Sequence, residues 1–326
     1  MPVAVGLNLQ GTDKVLINGV VLINKGKGIV SHNVVQGIRR IFPETKVGHI
    51  GTLDPSATGL LPVMLGHANR LHLYLSRGKK SYTGTIFLGQ STDTYDSEGK
   101  TTSQLTKVIF SEKDIREVLN QFHGIIEQIP PPFSAVKFNG RPSHRYAREG
   151  KLLQLKPRKV EIYSITLDSI NENILRVSIN CSQGTYIRSI ANDIGVKLGC
   201  GAHLQELERT AVGELSVSES VSLEQLKEKP EETLSSVSYK TLEWLLPNLP
   251  VFQALDDDAR LFSCGGRINY NANQLYAADT AFESMYQQMD GRYMKVFFGE
   301  QFLGIGLIES DILVKPIAVF GAGLEM

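Results

Sequence analysis

Asp54 is the residue of this chain whose setting points most directly to chemistry. It lies in the stretch Lys46-Val-Gly-His-Ile-Gly-Thr-Leu-Asp-Pro-Ser-Ala-Thr-Gly-Leu-Leu-Pro62, which contains no second acid and no set of metal ligands. The three glycines allow positive φ and a close approach of a ligand to the backbone, while the two prolines stiffen the loop. A single carboxylate held in such a loop favours nucleophilic chemistry. A structural alternative is that Asp54 caps a helix that starts near Ser56.

A nucleophilic aspartate must be ionised and aimed, and an arginine that pairs with the carboxylate can do both. The segment Cys181-Ser-Gln-Gly-Thr-Tyr-Ile-Arg188 offers a candidate near the start of a predicted helix. From the sequence alone, an exposed charge on the helix surface is the simpler interpretation of Arg188.

The Asp54 stretch closely resembles the Gly-His-Thr-Gly-Thr-Leu-Asp-Pro-x-Ala-Thr-Gly-Leu-Leu-Pro signature of the TruB-type tRNA pseudouridine-55 synthases. Ile50 replaces the usual threonine. Matching segments extend from about Asn18 to Leu215. Two of them differ from the family pattern at one further position each: Gly26 replaces a proline, and Glu208 replaces an arginine. These segments are Lys25-Gly-Lys-Gly28, Lys80-Ser-Tyr82, Ser134-Ala-Val-Lys-Phe-Asn-Gly140, Tyr146-Ala-Arg-Glu-Gly150, Gly184-Thr-Tyr-Ile-Arg188 and Gly201-Ala-His-Leu-Gln-Glu-Leu-Glu-Arg-Thr210.

The resemblance implies three catalytic residues. Asp54 would be the nucleophile, and Arg188 would lie against its carboxylate. Tyr82 would stack on the flipped uracil and assist removal of its C5 proton. Whether Asp54 attacks C1′, attacks C6 of the base or abstracts a ribose proton stays open at this stage.

The resemblance also implies a set of substrate-binding residues. Tyr82 and Tyr186 would form the uridine pocket, and Leu207 would pack against the target base. The others would bind the RNA around that base, with a mobile basic lobe that closes on the tRNA arm: His49, Lys25, Lys137 and Arg148.

Charge is segregated along a chain whose formal net charge is zero, with 34 basic and 34 acidic residues. Between Lys137 and Lys159 stand eight cations and one acid, Glu149, so this segment carries about seven net positive charges. Such a patch can neutralise phosphates, although a charge run can also be a merely solvated surface. A second basic patch consists of Arg70, Arg77, Lys79 and Lys80.

Composition sets wider limits. A chain of 326 residues at 42% hydrophobic can bury a sizeable core and suggests about two domains. The N-terminus lacks the features of a signal peptide, and no apolar run reaches the ~18 residues of a membrane span, so we predict a cytoplasmic protein. Three widely spaced cysteines predict neither a disulfide framework nor a metal site. We also predict no cofactor, since the sequence contains no phosphate-binding loop and isomerisation needs no group donor.

Periodicity and capping signals indicate helices and strands without regular βα repeats, which predicts an α+β fold. We expect strands at 19–24, 82–89 and 175–181, and a helix through Leu198. A helix capped by Ser31 or Asn33 should end before Pro43, and Ser111-x-x-Asp114 reads as a capping box.

We predict a catalytic domain over residues 1–245, built on a mixed, largely antiparallel sheet with flanking helices. A basic thumb-like insertion would occupy about 123–152, and 223–249 would be a connection. Short glycine-bounded strands predict a small β-rich domain over 246–326, which the resemblance identifies as PUA-like and RNA-binding.

The leading functional hypothesis is a tRNA pseudouridine synthase that flips and isomerises uridine 55 of the T-loop. The partner would be the T-arm stem-loop of tRNA, with no membrane, no protein partner and a monomeric enzyme. An alternative is a tRNA-folding chaperone in which modification is secondary. A third, a glycosidase-like hydrolase, lacks an identifiable partner acid for Asp54.

Overall fold

Two β-sheets of different size organise the chain. The computed structural model describes residues 17–106, 110–151, 153–246, 249–276, 293–310 and 312–320. Within them, the larger sheet has ten strands, and a separate two-stranded hairpin lies in the basic lobe. The strands of these two sheets are β1 Gly19–Lys25, β2 Val47–His49, β3 Thr58–Leu65, β4 Lys80–Leu88, β5 Gly124–Gln128, β6 Lys137–Phe138, β7 Arg141–Pro142, β8 Arg158–Asn171, β9 Ile174–Cys181, β10 Ala202–Val212, β11 Leu215–Ser216 and β12 Tyr239–Thr241.

The large sheet runs in the order β12-β1-β3-β10-β4-β9-β8-β5, with β2 paired to β3 and β11 to β10. Within the described strands of this sheet, only the β3–β10 pair is parallel. The predicted α+β class with a mixed, largely antiparallel sheet is therefore confirmed. The helices between these strands are α1 Ser31–Ile41, α2 His72–Leu75, α3 Glu112–Asn120, α4 Ser143–Arg148, α5 Ile187–Leu198, α6 Leu223–Glu228 and α7 Pro230–Leu234.

Local sequence signals locate most of these elements. The Ser111–Asp114 capping box forms at the start of α3 as predicted, and β4, β9 and α5 lie where periodicity predicted them. The predicted cap of α1 is wrong, because Val30 occupies the N-cap and makes no side-chain bond. The Ser31 hydroxyl is instead engaged with the backbone of Leu53, a contact distant in sequence.

The two faces of the large sheet are covered differently. One face packs against α1, α3 and α5 through a large apolar cluster that includes Val34, Ile38, Ile115 and Ile190. On the other face, at the β1–β3 end, a second cluster joins residues such as Leu22 and Leu60 to the C-terminal sheet. Beyond that end, this face carries hydroxyl side chains of β4 and β9 and is called the open face below.

The C-terminal sheet has six described strands in the order β14-β18-β17-β16-β13-β15. They are β13 Val251–Gln253, β14 Ile268–Asn269, β15 Leu275–Tyr276, β16 Tyr293–Phe298, β17 Gln301–Ser310 and β18 Leu313–Val319, with helix α8 at Asp256–Ser263. The β-rich character predicted for this region is confirmed. Its own core centres on Phe252, Phe262 and Leu303.

The segment expected to be a connection is more ordered than predicted. It contains α6, α7 and β12, and β12 pairs with β1 at the edge of the large sheet. Leu242, Leu245 and Leu246 then pack into the cluster shared with the C-terminal sheet. The connection therefore belongs structurally to the large sheet and to the interface.

The basic lobe consists of hairpin β6–β7 and helix α4. Arg141 forms an ion pair with Glu149, and its guanidinium lies over the ring of Tyr146. Strand β5, within the predicted insertion, pairs with β8 of the large sheet, so the lobe itself begins after Gln128. Across the described parts of the chain, no helix combines the length and apolar character needed to cross a membrane.

Candidate active site

Contacts from residues distant in sequence hold the loop that carries Asp54. The Ser31 hydroxyl donates to the carbonyl of Leu53 at 2.9 Å and accepts from its N–H at 3.0 Å. The N–H of Gly28 donates to the carbonyl of Pro55 at 2.8 Å. The guanidinium of Arg209 donates to the carbonyl of Gly51 at 2.9 Å. The backbone on both sides of Asp54 is thereby fixed, which predefines the direction of its carboxylate.

No helix starts at Ser56, so the alternative in which Asp54 is a helix cap is wrong. Residues 55 and 56 form a turn closed by a bond from the N–H of Ala57 to the carbonyl of Asp54 at 3.1 Å, and β3 follows. Gly59 has φ 95°, and a Cβ at this position would lie 2.4 Å from the carbonyl oxygen of Arg209. The glycine is required because β10 passes so close to the loop.

Arg188 lies against Asp54, as the resemblance implies. Its Nε is 2.9 Å from Oδ2 of Asp54, and its side chain is only 7% exposed, whereas that of Asp54 is 40% exposed. Nη1 donates to the carbonyl of Thr94 at 3.1 Å, and Nη2 donates to the carbonyl of Phe133 at 3.2 Å. The interpretation of Arg188 as an exposed charge is therefore wrong. A buried, fixed cation holds a carboxylate that remains accessible.

Asp96 is a second acid at this site, and sequence reasoning missed it. Its Oδ2 lies 3.4 Å from Nη1 of Arg188, and its other oxygen accepts from the Thr94 hydroxyl and the N–H of Glu98. Tyr95, just before it, has φ 65°, an uncommon conformation for a residue with a side chain. The available signal was the acid-rich turn Asp93-Thr-Tyr-Asp96 after a predicted strand, but nothing in it specified contact with Arg188.

Tyr82 and Arg209 form a buried pair below the Asp54 loop. Arg209 is 1% exposed, donates to the carbonyl of Leu60 at 2.8 Å and lies beside the Tyr82 hydroxyl. Burial raises the pKa of Tyr82 above its usual value, with Arg209 opposing the shift. The phenol is therefore protonated at neutral pH. Arg209 falls within a segment that matches the family, but its residue type and spacing alone did not predict this buried role.

Lys25 and Lys80 add two more buried cations. The ammonium of Lys25 donates to the carbonyls of Gly26, Ile29 and Pro55 at 3.0, 2.9 and 3.3 Å. Burial lowers the pKa of each lysine to about 8. The predicted basic patch that included Lys80 is therefore not wholly a surface feature. Contact of Lys25 with substrate stays a prediction, since here its ammonium supports the Asp54 loop.

The other pocket residues cluster nearby with different degrees of burial. Tyr186 is half-buried, and Gln128 fixes its backbone: the N–H of Tyr186 donates to Oε1 of Gln128, and Nε2 of Gln128 donates to its carbonyl. His49 is half-buried, and burial lowers its pKa, which favours a neutral imidazole. Its Nδ1 has no hydrogen-bond partner among the described residues.

A small cavity of about 10 Å³ separates the Asp54 loop from β10. Gln205 contributes a buried Oε1 that has no hydrogen-bond partner within the described residues. A volume of this size holds at most one water. Its lining residues are Asp54, Ser56, Ala57, Asp96, Arg188, Leu204, Gln205, Glu206 and Leu207.

Lys137 and Arg148 lie in the basic lobe, exposed to solvent. The base of the lobe meets the site at two points. The carbonyl of Phe133 accepts from Arg188, and the buried Ser134 hydroxyl contacts Tyr186. The structure thus brings Asp54, Arg188, Tyr186 and Leu207 together and leaves the two lobe cations outside.

Comparison with known proteins identifies the chain's relatives. The N-terminal domain of the TruB family of pseudouridylate synthases matches residues 39–187, and the C-terminal domain of tRNA pseudouridylate synthase B matches residues 188–246. The tRNA pseudouridine synthase B of Francisella tularensis subsp. tularensis is 42% identical over 244 residues, covering 74% of this chain and 80% of the relative. That of Francisella philomiragia is 41% identical over 251 residues, with the same coverage.

Solved structures share the fold at lower identity. A chain from an H/ACA RNP bound to a substrate RNA containing 2′-deoxyuridine aligns with TM-score 0.67 and 23% identity, over 93% of this chain and 85% of its own length. A chain from a Cbf5–Nop10–Gar1 complex aligns with TM-score 0.66 and 24% identity, over 93% and 84%. At such identities the likeness shows the fold alone.

Proposed function

The chain belongs to the TruB family of pseudouridylate synthases, and we propose that it converts uridine 55 in the T-loop of tRNA to pseudouridine with Asp54 as nucleophile. A pseudouridine synthase is an isomerase acting on uridine in RNA. The bond from ribose C1′ to base N1 breaks, the uracil turns, and C1′ bonds to C5. tRNA is the substrate class named for the relatives.

The observation that carries the role of Asp54 is its ion pair with buried Arg188, at 2.9 Å. A guanidinium that is itself fixed sets the direction of the carboxylate it contacts. Because the Asp54 side chain is 40% exposed, its carboxylate can still reach a substrate. This combination of a fixed cation and an accessible anion is what a nucleophile requires.

The small size of this cavity favours a movement when the base enters. A volume of about 10 Å³ is smaller than a uracil, so we infer that Leu207 or the base of the lobe shifts as the loop binds. Leu207 then packs on the base, and the free Oε1 of Gln205 can accept from the uracil N3–H. Tyr82 would form a wall of the pocket, and its assistance in removal of the C5 proton stays a prediction.

The basic lobe is the surface proposed to bind phosphates. Lys137 and Arg148 are exposed and pair with no acid among the described residues. His49, beside the Asp54 loop, would insert next to the extruded nucleotide. RNA contact by the C-terminal sheet has less support. Its described residues carry four cations against five acids: Arg260, Arg267, Lys295 and Lys315 against Asp256, Asp257, Asp258, Glu300 and Glu309.

The two competing hypotheses have less in their favour. No observation favours a tRNA-folding chaperone over the synthase. The glycosidase-like alternative lacked a partner acid, and although Asp96 is nearby, it shares Arg188 with Asp54 rather than standing across a substrate gap from it. The family assignment favours isomerisation.

We further propose that a single chain suffices and that the reaction needs no metal or cofactor. All the residues named above come from one chain, and a tRNA substrate implies a cytoplasmic reaction. Light scattering of the free protein and of its stem-loop complex would test whether the protein is a monomer. Activity after treatment with a chelator would test whether the reaction needs a metal.

The test of the proposed function is tritium release from an isolated T-arm stem-loop carrying 5-tritiated uridine at the target position. We expect release by the wild-type protein, and a loss on the order of 10⁴-fold for Asp54→Asn with stem-loop affinity retained. A second stem-loop, with the label in a uridine elsewhere in the loop, should release none.

The matched control is Asp168→Asn, which neutralises an exposed carboxylate on the open face outside the site. It should release tritium at close to the wild-type rate. Substantial turnover by Asp54→Asn would overturn the role of Asp54. Tight binding by the wild type without release would overturn the T-loop substrate.

A further inference from the structure

A second cavity, of about 190 Å³, lies beside the Asp54 cavity on the open face. It shares Ser56, Glu206 and Leu207 with the smaller cavity, so the two cavities adjoin across β10. Among the residues that line it, carboxylates, hydroxyls and two cations predominate, a composition suited to a polar ligand. These residues are Lys27, Ser56, Thr58, Thr83, Thr85, Arg176, Glu206, Leu207 and Glu208.

Strand register explains how these groups converge. Glu208 of β10 lies opposite Thr58 of β3 on one side and Thr83 of β4 on the other. Glu206 lies opposite Thr85, which in turn lies opposite Arg176 of β9. Since alternate residues of a strand share one face, the two carboxylates project from β10 on the same side of the sheet.

Most of the charged side chains that line this cavity lack a close partner. Glu208 is half-buried, yet its carboxylate has no ion pair or hydrogen bond among the described residues, and the same holds for the exposed guanidinium of Arg176. Glu206 has a contact of 3.9 Å with Lys27, at the edge of ion-pair range. Partial burial of an unpaired carboxylate is costly. A ligand that supplies a hydrogen-bond donor would offset that cost.

The hydrogen-bond donors and acceptors of the cavity indicate which kind of ligand would fit it. A carboxylate accepts hydrogen bonds from the exocyclic amino group of a nucleobase and repels a phosphate. Lys27 and Arg176 can meet the phosphate of the same nucleotide at the rim. Uracil has no exocyclic amino group: its N3–H can meet Glu208, but the carbonyl oxygens on both sides of that N–H would face the carboxylates instead of a second donor.

We propose that this cavity binds the base of a nucleotide adjacent to the target uridine and selects a base with an exocyclic amino group. Glu208 is the principal acceptor and Glu206 the second. This inference rests on the proposed function, because the ligand is a neighbour of the reacting uridine. The family signature has arginine where this chain has Glu208, so the selection is a property of this chain.

The experiment uses matched pairs of T-arm stem-loops that differ in one amino group beside the target. At each flanking position, cytidine is replaced by uridine, adenosine by purine riboside, or guanosine by inosine. Dissociation constants are measured with the Asp54→Asn protein, so that binding is read without turnover. Rates of tritium release are measured with the wild-type protein.

We expect one flanking position at which removal of the amino group weakens binding on the order of 10- to 100-fold. In the Asp54→Asn background, adding Glu208→Met should reduce this ratio to near one. The control Asp168→Asn removes a negative charge from the same face outside the cavity. It should change every dissociation constant by the same factor and leave the ratio within each matched pair unchanged. This control separates recognition of the amino group from a general effect of charge on RNA binding.

The outcomes distinguish this inference from the proposed function. Equal binding of every matched pair, or discrimination that survives Glu208→Met and Glu206→Met, overturns the inference even if pseudouridine is formed. Discrimination without tritium release by the wild type supports the cavity and counts against the proposed reaction. Failure to bind any stem-loop overturns both.

Discussion

The large sheet and the C-terminal sheet differ in whether they bury charged side chains. The large sheet and its loops bury five charged side chains at the Asp54 site: Lys25, Lys80, Asp96, Arg188 and Arg209. The described part of the C-terminal sheet buries no charged or polar residue, and its ion pair between Arg267 and Glu309 is exposed. Buried charge is costly and survives where its geometry is used. The contrast identifies one sheet as the site of chemistry and the other as a packing partner.

The largest effect should follow from removing the central cation. Arg188→Met leaves Asp54 and Asp96 unpaired and two carbonyls without a donor. We expect a loss of turnover on the order of 10³-fold or more, and a loss of unfolding free energy of about 3 kcal/mol. Single-turnover rates and urea denaturation would measure the two effects.

The matched variant on the other sheet is Arg267→Met, which breaks an exposed pair of the same type. It should cost less than about 1 kcal/mol and leave turnover unaffected. If both arginines cost the same, the comparison between the two sheets fails.

A smaller effect is expected for the second acid. Asp96→Asn keeps the size of the side chain but removes the charge that shares Arg188 with Asp54. A guanidinium that loses one of its two acidic partners should shift relative to Asp54 and slow the reaction on the order of 10²-fold. Steady-state kinetics should show the loss in kcat with little change in KM. A change confined to KM would mean that Asp96 acts in RNA binding.

Lys80 predicts a pH dependence of stability. Burial lowers its pKa in the folded protein from 10.5 to about 8, so between these values the unfolded chain binds more protons than the folded one. The free energy of unfolding therefore rises with pH between about 8 and 10.5. Below pH 8 the folded protein carries the Lys80 charge in full, and the cost of burying that charge is then greatest. Relative to Lys80→Met, the unfolding free energy of the wild type should rise by at most about 3 kcal/mol between pH 8 and 10.5.

Urea denaturation of both proteins at several pH values would measure this difference. Lys25 titrates in the same range and remains in both proteins, so its contribution cancels. A difference that stays flat would mean that the Lys80 ammonium is hydrated in the folded state.

The smallest effects should come from the basic lobe, whose cations are exposed. Lys137→Ala and Arg148→Ala should each lower the slope of log affinity against log salt by about 0.7. On the C-terminal sheet, Lys315→Ala should leave the slope unchanged, because Lys315 faces Glu309 in a region without net positive charge. Binding of the T-arm stem-loop at several salt concentrations would test this. An equal fall for Lys315→Ala would assign RNA contacts to the C-terminal sheet.

Local sequence patterns were sufficient to locate most elements of the fold. The alternation along β9 and the helical spacing of α5 each express a burial pattern that neighbouring residues determine. The capping box of α3 is satisfied within four residues. Asp54 itself could be singled out because its loop concentrates glycines, prolines and one acid in a single stretch.

The sequence by itself therefore determined most of the elements, the fold class and, through a long matching motif, the family. Only the tertiary structure decided which distant groups meet. It engaged Ser31 with Leu53 rather than with its own helix, turned Asp96 toward Arg188, and buried Lys25 under the Asp54 loop. The physical reason is that helix and strand signals act between near neighbours in the chain. The partners of a buried charge are set by how the sheet brings remote segments together.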